Sequence, residues 1–302
     1  MTLDSKSRGK YTNVTELIDY DHNVLFITLD SCRWDTYKLA KTPNLDRIGK
    51  AKPAQTHASF TLPAHHAFFA GHIPSTGKDE DFYSRSGAYL WRLNGATPNK
   101  KKIGVFLKGD SVIDGYRKKG HKIKGFAGVS IFSKENASLR KYFKKSEFAH
   151  YGLFSYHHPR TSRKTSPLFN LKDIVSFMKK SKSWFVFINE GATHSPYNLK
   201  PMNKSAKSLL REVAPSFGGV QTAASKKSYK QGKMLHKIQI ETVEILDKQI
   251  GKLLDAAPKD KPILIIICAD HGQMFGEHGK WGHFHNKKEV LTVPLLINTK
   301  YV

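Results

Sequence analysis

The chain has 302 residues, of which 50 are Lys or Arg and 25 are Asp or Glu, giving a formal net charge of +25. At 39% hydrophobic and 25% charged, with 18 Phe and 12 Tyr, it carries the apolar material for a sizeable core, which excludes disorder throughout. No stretch approaches the roughly 20 apolar residues of a membrane-spanning helix, and the first residues lack the apolar segment of a signal peptide. Cys32 and Cys268 are the only cysteines, which excludes a disulfide scaffold and a thiolate zinc site. Together these features predict a soluble, cytoplasmic protein.

Residues 1–20 are polar and read as a tail; no Pro/Gly-rich linker divides residues 21–302, which predicts a single catalytic domain. VLFITL (24–29) is rich in β-branched and aromatic residues without polar alternation, the pattern of a strand buried on both faces. In HASFTLPAHHAFFAGHIP (57–74), Pro63 predicts a helix from Ala64 onward whose N-terminal amides point towards Thr61. At helical spacing His65 and His72 share a face, whereas His66 turns away. Residues 75–110 show little periodicity and read as a lid or substrate loop. SVIDGYRKKG and HKIKGFAGVSIF (111–132) predict a helix followed by a strand, and WFVFIN (184–189) a second buried strand. Residues 195–235 hold Gly, Ser, Pro and Lys with little periodicity and are a second candidate lid. KIQIETVEILDKQIGKLLDAA (237–257) gathers Ile238, Val243, Leu246, Ile250 and Leu253 on one helical face. ILIIICA (263–269) is a third buried strand, with VPLLI (293–297) following. Strands alternating with helices predict an α/β three-layer sandwich, a mostly parallel central sheet flanked by helices.

Each of the three apolar runs ends in groups able to hold metals or protons: Asp30, then Glu190 and His194, then Asp270 and His271. In open α/β sheets ligands bind outside the carboxyl ends of the strands, so three parallel strands would deliver these side chains to one crevice. A single strand-end carboxylate is equally read as a cap on the next helix. Three strand ends bearing mixed carboxylates and imidazoles fit a hydrolytic metal site better, with zinc or manganese as the favoured ions. Thr61 offers a hydroxyl, which becomes a nucleophile at neutral pH only if a cation lowers its pKa; its alternative role is to cap the helix. Lysine pairs and triplets at 100–102, 118–119, 144–145, 179–180, 226–227 and 287–288 read as solvated surface. Alternatively they form a basic rim that steers phosphate-bearing substrates, or a nucleic-acid footprint.

In this order, the segments resemble the alkaline phosphatase and sulfatase superfamily over roughly residues 22–298. VLFITLDSCRWD and TPNLDRI resemble the opening strand, metal-binding Asp and following helix of sulfatase-like hydrolases. FTLPAHHAFFAGHIP is similar to the nucleophile segment, FVFINEGATHSPY to the strand and His-x-Pro-Tyr segment, and ADHGQMFGEHGKWGH to the Asp-His-Gly and Gly-Glu-His-Gly stretch. The resemblance implies an alkaline-phosphatase-like fold and one divalent metal held by Asp30, Thr61, Asp270 and His271, with Thr61 as nucleophile. It implies a second ion at Glu190, His194 and His283, with His285 as an alternate ligand. Zinc or manganese is favoured, with calcium or magnesium as further candidates. His65 then contacts the oxyanion or leaving group, or is an ordinary polar residue beside the helix. His194 contacts substrate where no second ion is present. His278 is read as structural.

The departures are informative. Sulfatases convert a Cys or Ser at the nucleophile position to formylglycine, which Thr61 cannot become. His65 stands where they have Arg, and Ser31 where they have a second Asp after the first. The chain stops soon after VPLLI, which predicts that the smaller C-terminal subdomain of sulfatases is absent. These differences imply a metal-dependent phosphohydrolase or phosphodiesterase that passes through a phosphothreonine intermediate. Its expected substrate is a phosphorylated small molecule or nucleotide. The alternatives are a phosphoryl- or phosphoethanolamine-type transferase, a sulfatase-like enzyme, and a basic nucleic-acid-binding protein with a degenerate metal site.

Overall fold

The computed structural model describes residues 21–71, 110–133, 137–151, 154–155, 158–159, 163–197, 199–214 and 229–300. The expected tail at 1–20, nearly all of the candidate lid at 75–110, residues 215–228 of the second candidate lid, His72 and the lysines at 100–102 and 226–227 lie outside them.

A seven-stranded sheet organises the chain. Its strands are β1 (Asn23–Leu29), β2 (Lys52–Gln55), β3 (Lys122–Ala127), β4 (Phe148–His150), β5 (Trp184–Glu190), β6 (Ile263–Cys268) and β7 (Thr292–Lys300). They lie in the order β2-β7-β6-β1-β5-β3-β4. The five from β6 to β4 are mutually parallel, while β7 runs antiparallel to both β6 and β2. The three apolar runs therefore occupy the middle of the sheet, where both faces must be covered.

Alternation along these strands divides the core in two. Leu25, Ile27 and Leu29 of β1 join Val186 and Ile188 of β5 and Ile265 and Ile267 of β6 on one face. Val24 and Phe26 join Phe185, Phe187 and Leu264 on the other. The helices that flank the sheet and its loops include α1 (Trp34–Leu39), α2 (Thr61–Ala70), α3 (Val112–Lys118), α4 (Leu171–Lys179), α5 (Lys204–Val213) and α6 (Tyr229–Ala256). The first face packs against Ile174 and Met178 of α4 and Val243, Leu246 and Ile250 of α6. The second packs against Leu62 and Phe69 of α2 and Ile113 and Tyr116 of α3. This is the expected three-layer α/β sandwich with an alkaline-phosphatase-like sheet. Among the described residues, no helix is long and apolar enough to cross a membrane. The described lysines of the clusters, at 118–119, 144–145, 179–180 and 287–288, are exposed.

Three boundaries differ from expectation. Helix α2 begins at Thr61, not Ala64, because Pro63 occupies the third helical position, where a missing N–H still costs no intrahelical bond. Helix α6 starts at Tyr229, eight residues before the predicted segment. Within the candidate lid at 195–235, α5 is a regular helix capped by Asn203, whose side chain accepts from the Ala206 amide at 2.8 Å. Ala206, Leu209, Leu210 and Val213 of α5 pack on Tyr197, Leu235, Phe275 and Trp281 as a third apolar cluster.

Candidate active site

The register of the central strands decides which strand-end residues meet. Thr28 lies opposite Asn189 on β5 and Cys268 on β6, and Leu29 lies opposite Glu190. Neighbouring residues across a sheet share a face, and the face changes at each step along a strand. Asp30 and Asp270, each two residues beyond an opposed pair, therefore follow Thr28 and Cys268 onto the side of α2. Asp30, Asp270 and His271 converge there, each offering a ligand atom within 4.8 Å of the others. His271 Nε2 is 4.0 Å from Asp30 Oδ1 and 3.6 Å from Asp270 Oδ2.

Loop backbone holds these groups in place. Ser31 adopts a left-handed conformation, with φ of 63°, and turns its amide to donate to Asp270 Oδ1 at 3.0 Å. The His271 amide donates to the same oxygen at 2.9 Å. Asp270 Oδ2 is buried without a hydrogen-bond partner. His271 Nδ1 donates to the Gly272 carbonyl at 2.8 Å, so its bare Nε2 faces the carboxylates. The Thr61 hydroxyl, on the first residue of α2, donates to that Nε2 at 3.3 Å. On the opposite helical layer, Gln239 of α6 donates to the carbonyls of Ser31 and Thr193 at 2.9 and 2.8 Å, while the Thr193 hydroxyl donates to the Asp30 carbonyl at 2.6 Å. One side chain thus ties the loops after β1 and β5 together.

The electrostatics are those of a dry site. Burial, and then the neighbouring Asp270 charge, push the Asp30 carboxyl up to about 6. Burial pushes Asp270 up to about 7 against the pull of the Ser31 and His271 amides. The same desolvation brings His271 down to about 4. Two carboxylates, a bare imidazole nitrogen and a hydroxyl, with a carboxylate oxygen left unpaired, fit a divalent cation. Such an ion would satisfy Asp270 Oδ2 and neutralise the repulsion between the two acids.

The remaining candidates divide. His283 packs its ring 4.7 Å from that of His271 and 5.5 Å from that of His194, and its Nδ1 is buried without a hydrogen-bond partner. His194 donates from Nδ1 to the Ser195 carbonyl at 2.7 Å. These two histidines extend the site beyond His271. Glu190 does not join them. It faces the α4 and α6 layer, where Oε2 accepts from the Ser166 hydroxyl at 2.7 Å and the Leu168 amide at 3.2 Å, and Oε1 from the Ala192 amide at 3.0 Å. The expected second ion therefore lacks its carboxylate, because the chosen acid sits one residue out of phase with Asp30. His285 turns Nε2 to the Trp281 carbonyl at 3.1 Å, leaving His283 as the one beside His271 and His194. His65 spends both ring nitrogens inside the fold, Nδ1 on the Thr61 carbonyl at 2.8 Å and Nε2 on the Thr28 hydroxyl at 3.1 Å, which leaves neither for the expected contact with an oxyanion or leaving group. His66 meets the Tyr142 hydroxyl at 2.6 Å, and His278 is exposed in a left-handed turn. Cys32 and Cys268 are buried free thiols. Sequence reasoning passed over Asn189, Thr28 and Gln239. The first two carry a usable signal, since they sit on the Asp30 face by simple alternation.

Residues 22–301 match the family model described as Sulfatase. A stretch of 58 residues is 34% identical to a protein named choline-sulfatase from Rhizobium meliloti (strain 1021), taking in 18% of this chain and 11% of that protein. The match spans only a short part of that relative's length. The phosphonate monoester hydrolase of Agrobacterium radiobacter has a similar structure, with a TM-score of 0.60 at 15% identity over 91% of this chain and 68% of that one. The C-terminal periplasmic domain of a phosphoethanolamine transferase from Campylobacter jejuni gives 0.52 at 11% identity over 93% and 80%. At such identities the likeness is one of fold.

Proposed function

The chain belongs to the sulfatase family, and from that premise we propose that it is a metal-dependent phosphohydrolase or phosphodiesterase with Thr61 as its nucleophile. The observation that supports this reading is the Thr61 hydroxyl, 3.3 Å from the bare Nε2 of His271 and on the first residue of a ten-residue helix. Members of this superfamily generally depend on a divalent metal. Here Asp30, Asp270, His271 and Thr61 would hold it, and when bound it supplies positive charge that lowers the hydroxyl's pKa.

The protein's own groups account for the other requirements. The amides of the first turn of α2 face a bound phosphate and favour its negative charge. The Thr61 oxygen gives up its proton to solvent and forms a bond to phosphorus as the ester oxygen leaves with its electron pair and takes a proton, giving a phosphothreonine. Water then attacks phosphorus and loses a proton as the Thr61 oxygen departs and recovers one, releasing phosphate from a monoester substrate or a phosphate monoester from a diester. His194 would bind a phosphoryl oxygen or give a proton to the leaving oxygen, while His283, held neutral by burial, would bind a phosphoryl oxygen. The favoured substrate is a phosphorylated small molecule or nucleotide, drawn by the +25 charge, and the favoured compartment is the cytoplasm.

A sulfatase reading is favoured by the family match and by the short similarity to choline-sulfatase. The threonine opposes it, since a secondary alcohol cannot be oxidised to the aldehyde that sulfatases carry. The test is turnover of p-nitrophenyl phosphate, bis-p-nitrophenyl phosphate and p-nitrophenyl sulfate by metal-loaded protein, with Thr61→Ala beside wild type. Phosphate-ester turnover is expected, lowered by Thr61→Ala on the order of 10³-fold or more at saturating metal. Acid quenching should trap a phosphoryl group on Thr61. Sulfate turnover, or near-normal activity of Thr61→Ala, would refute the proposal.

A further inference from the structure

His65 is fully buried one helical turn after Thr61, with its ring nitrogens turned to the protein's own groups. We propose that Asn189, Thr28 and His65 form a hydrogen-bond relay that positions Thr61, with His65 as the positioning residue; this rests on the assignment of Thr61 as nucleophile.

The direction of every bond in the relay is fixed by elimination. His65 Nδ1 lies 2.8 Å from the Thr61 carbonyl, which can only accept, so Nδ1 carries the proton. Nε2 also faces the Asn189 side-chain amide nitrogen at 3.5 Å, a group that can only donate. Nε2 must then accept. Its neighbour is the Thr28 hydroxyl at 3.1 Å, which therefore donates; the competing acceptor for that hydroxyl, the Ile188 carbonyl, is farther at 3.5 Å. The Thr28 oxygen in turn accepts from the Asn189 side-chain amide at 3.1 Å. One unbroken sequence runs from β5 through β1 and the imidazole to the first residue of α2.

Two further features make the arrangement specific. Phe68, Phe132 and Phe187 meet the His65 ring edge-on at centroid distances of 5.4, 5.1 and 5.7 Å, so the ring is walled by hydrocarbon and its two nitrogens depend on the relay for partners. Nδ1 also lies 3.8 Å from Asp270 Oδ2, the unpaired ligand oxygen. The imidazole thus closes back over one turn of α2, holds the Thr61 peptide and keeps its N–H beside the acid that shares the site. Fixing that peptide fixes the direction in which the Thr61 hydroxyl leaves the helix, and a nucleophile displaced by about 1 Å loses on the order of 10²-fold in rate.

The relay has a readout independent of catalysis. In metal-free protein with ¹⁵N-labelled histidine, NMR should show His65 as the tautomer with protonated Nδ1 and a hydrogen-bonded, unprotonated Nε2. In Thr28→Val the Nε2 resonance should move downfield to the position of an imine nitrogen without a donor. On the kinetic side, an Asn side chain places its amide nitrogen near Nδ1, whereas Gln places it near Nε2. His65→Gln should lower kcat at least about tenfold with KM and metal content within about twofold of wild type, and His65→Asn should recover most of the loss. A protonated Nε2 in the wild type, or equal kcat for the Gln and Asn variants, would overturn the relay. Full activity of Thr61→Ala would instead overturn the nucleophile assignment and leave the NMR result to decide the hydrogen bonds alone. If the His65 variants fail to fold, the wild-type tautomer and the isosteric Thr28→Val shift still decide it.

Discussion

Replacing Asp270 by Asn should make the metal-free protein more stable while abolishing its metal affinity. Asn keeps an acceptor oxygen for the Ser31 and His271 amides, now 3.0 and 2.9 Å from Asp270 Oδ1, and removes a charge buried beside Asp30. The folded carboxyl titrates at about 7 against 3.8 unfolded, so the folded state holds the proton more tightly. Its stabilising contribution is complete below about pH 4 and is lost as pH rises to about 7. At roughly 1.4 kcal/mol per pKa unit, the wild type carries a penalty of about 4 kcal/mol at pH 8 that Asn does not. The variant's imperfect fit reduces the visible gain to about 2–4 kcal/mol, or roughly 5–10 °C in Tm for a domain of this size. The assay is thermal unfolding in chelator from pH 4.5 to 8.5, repeated with zinc or manganese. The gap between variant and wild type should open as pH rises, and only the wild type should gain from metal. A variant no more stable than wild type in chelator at pH 8, or a gap independent of pH, would refute the account of a strained, charge-rich pocket completed by an ion.

Two further outcomes separate this site from its surroundings. Glu190→Gln should retain the metal content of wild type, measured by atomic emission after gel filtration, because its carboxylate serves Ser166, Leu168 and Ala192 on the other face; Asp30→Asn should lose it. Gly272→Ala should destabilise by roughly 2–4 kcal/mol in chemical denaturation, since a Cβ there would clash with the backbone carbonyl of Glu289.

The layers of the fold and the core of the site are legible in the sequence for one reason. A strand buried on both faces is a short uninterrupted apolar run, and an acid in phase with Thr28 and Cys268 at its end falls on the α2 side, at the crevice. Asp30, Asp270 and His271 follow directly from that. Glu190 misleads because alternation matters at the end of such a run. Leu29 faces α6, and so does its neighbour Glu190, whereas Asn189 shares the face of Thr28. Counted along the strand from the Thr28 partner, the residue on the Asp30 face is Asn189 and not Glu190. Helix α5 is obscured because Lys204, Lys207 and Arg211 surround its apolar positions, though Ala206, Leu209, Leu210 and Val213 keep helical spacing. Gln239 has no signature at all: a polar residue in a long amphipathic helix acquires its role only when that helix docks.

That docked glutamine governs how the scaffold can be re-engineered. Through its amide, α6 acts as a crossbar between the loops after β1 and β5, so neither loop can be lengthened, swapped or evolved without moving the other. A designer transplanting this centre into another α/β host must carry the 28-residue helix as part of the cassette, although none of its side chains belongs to the ligand set.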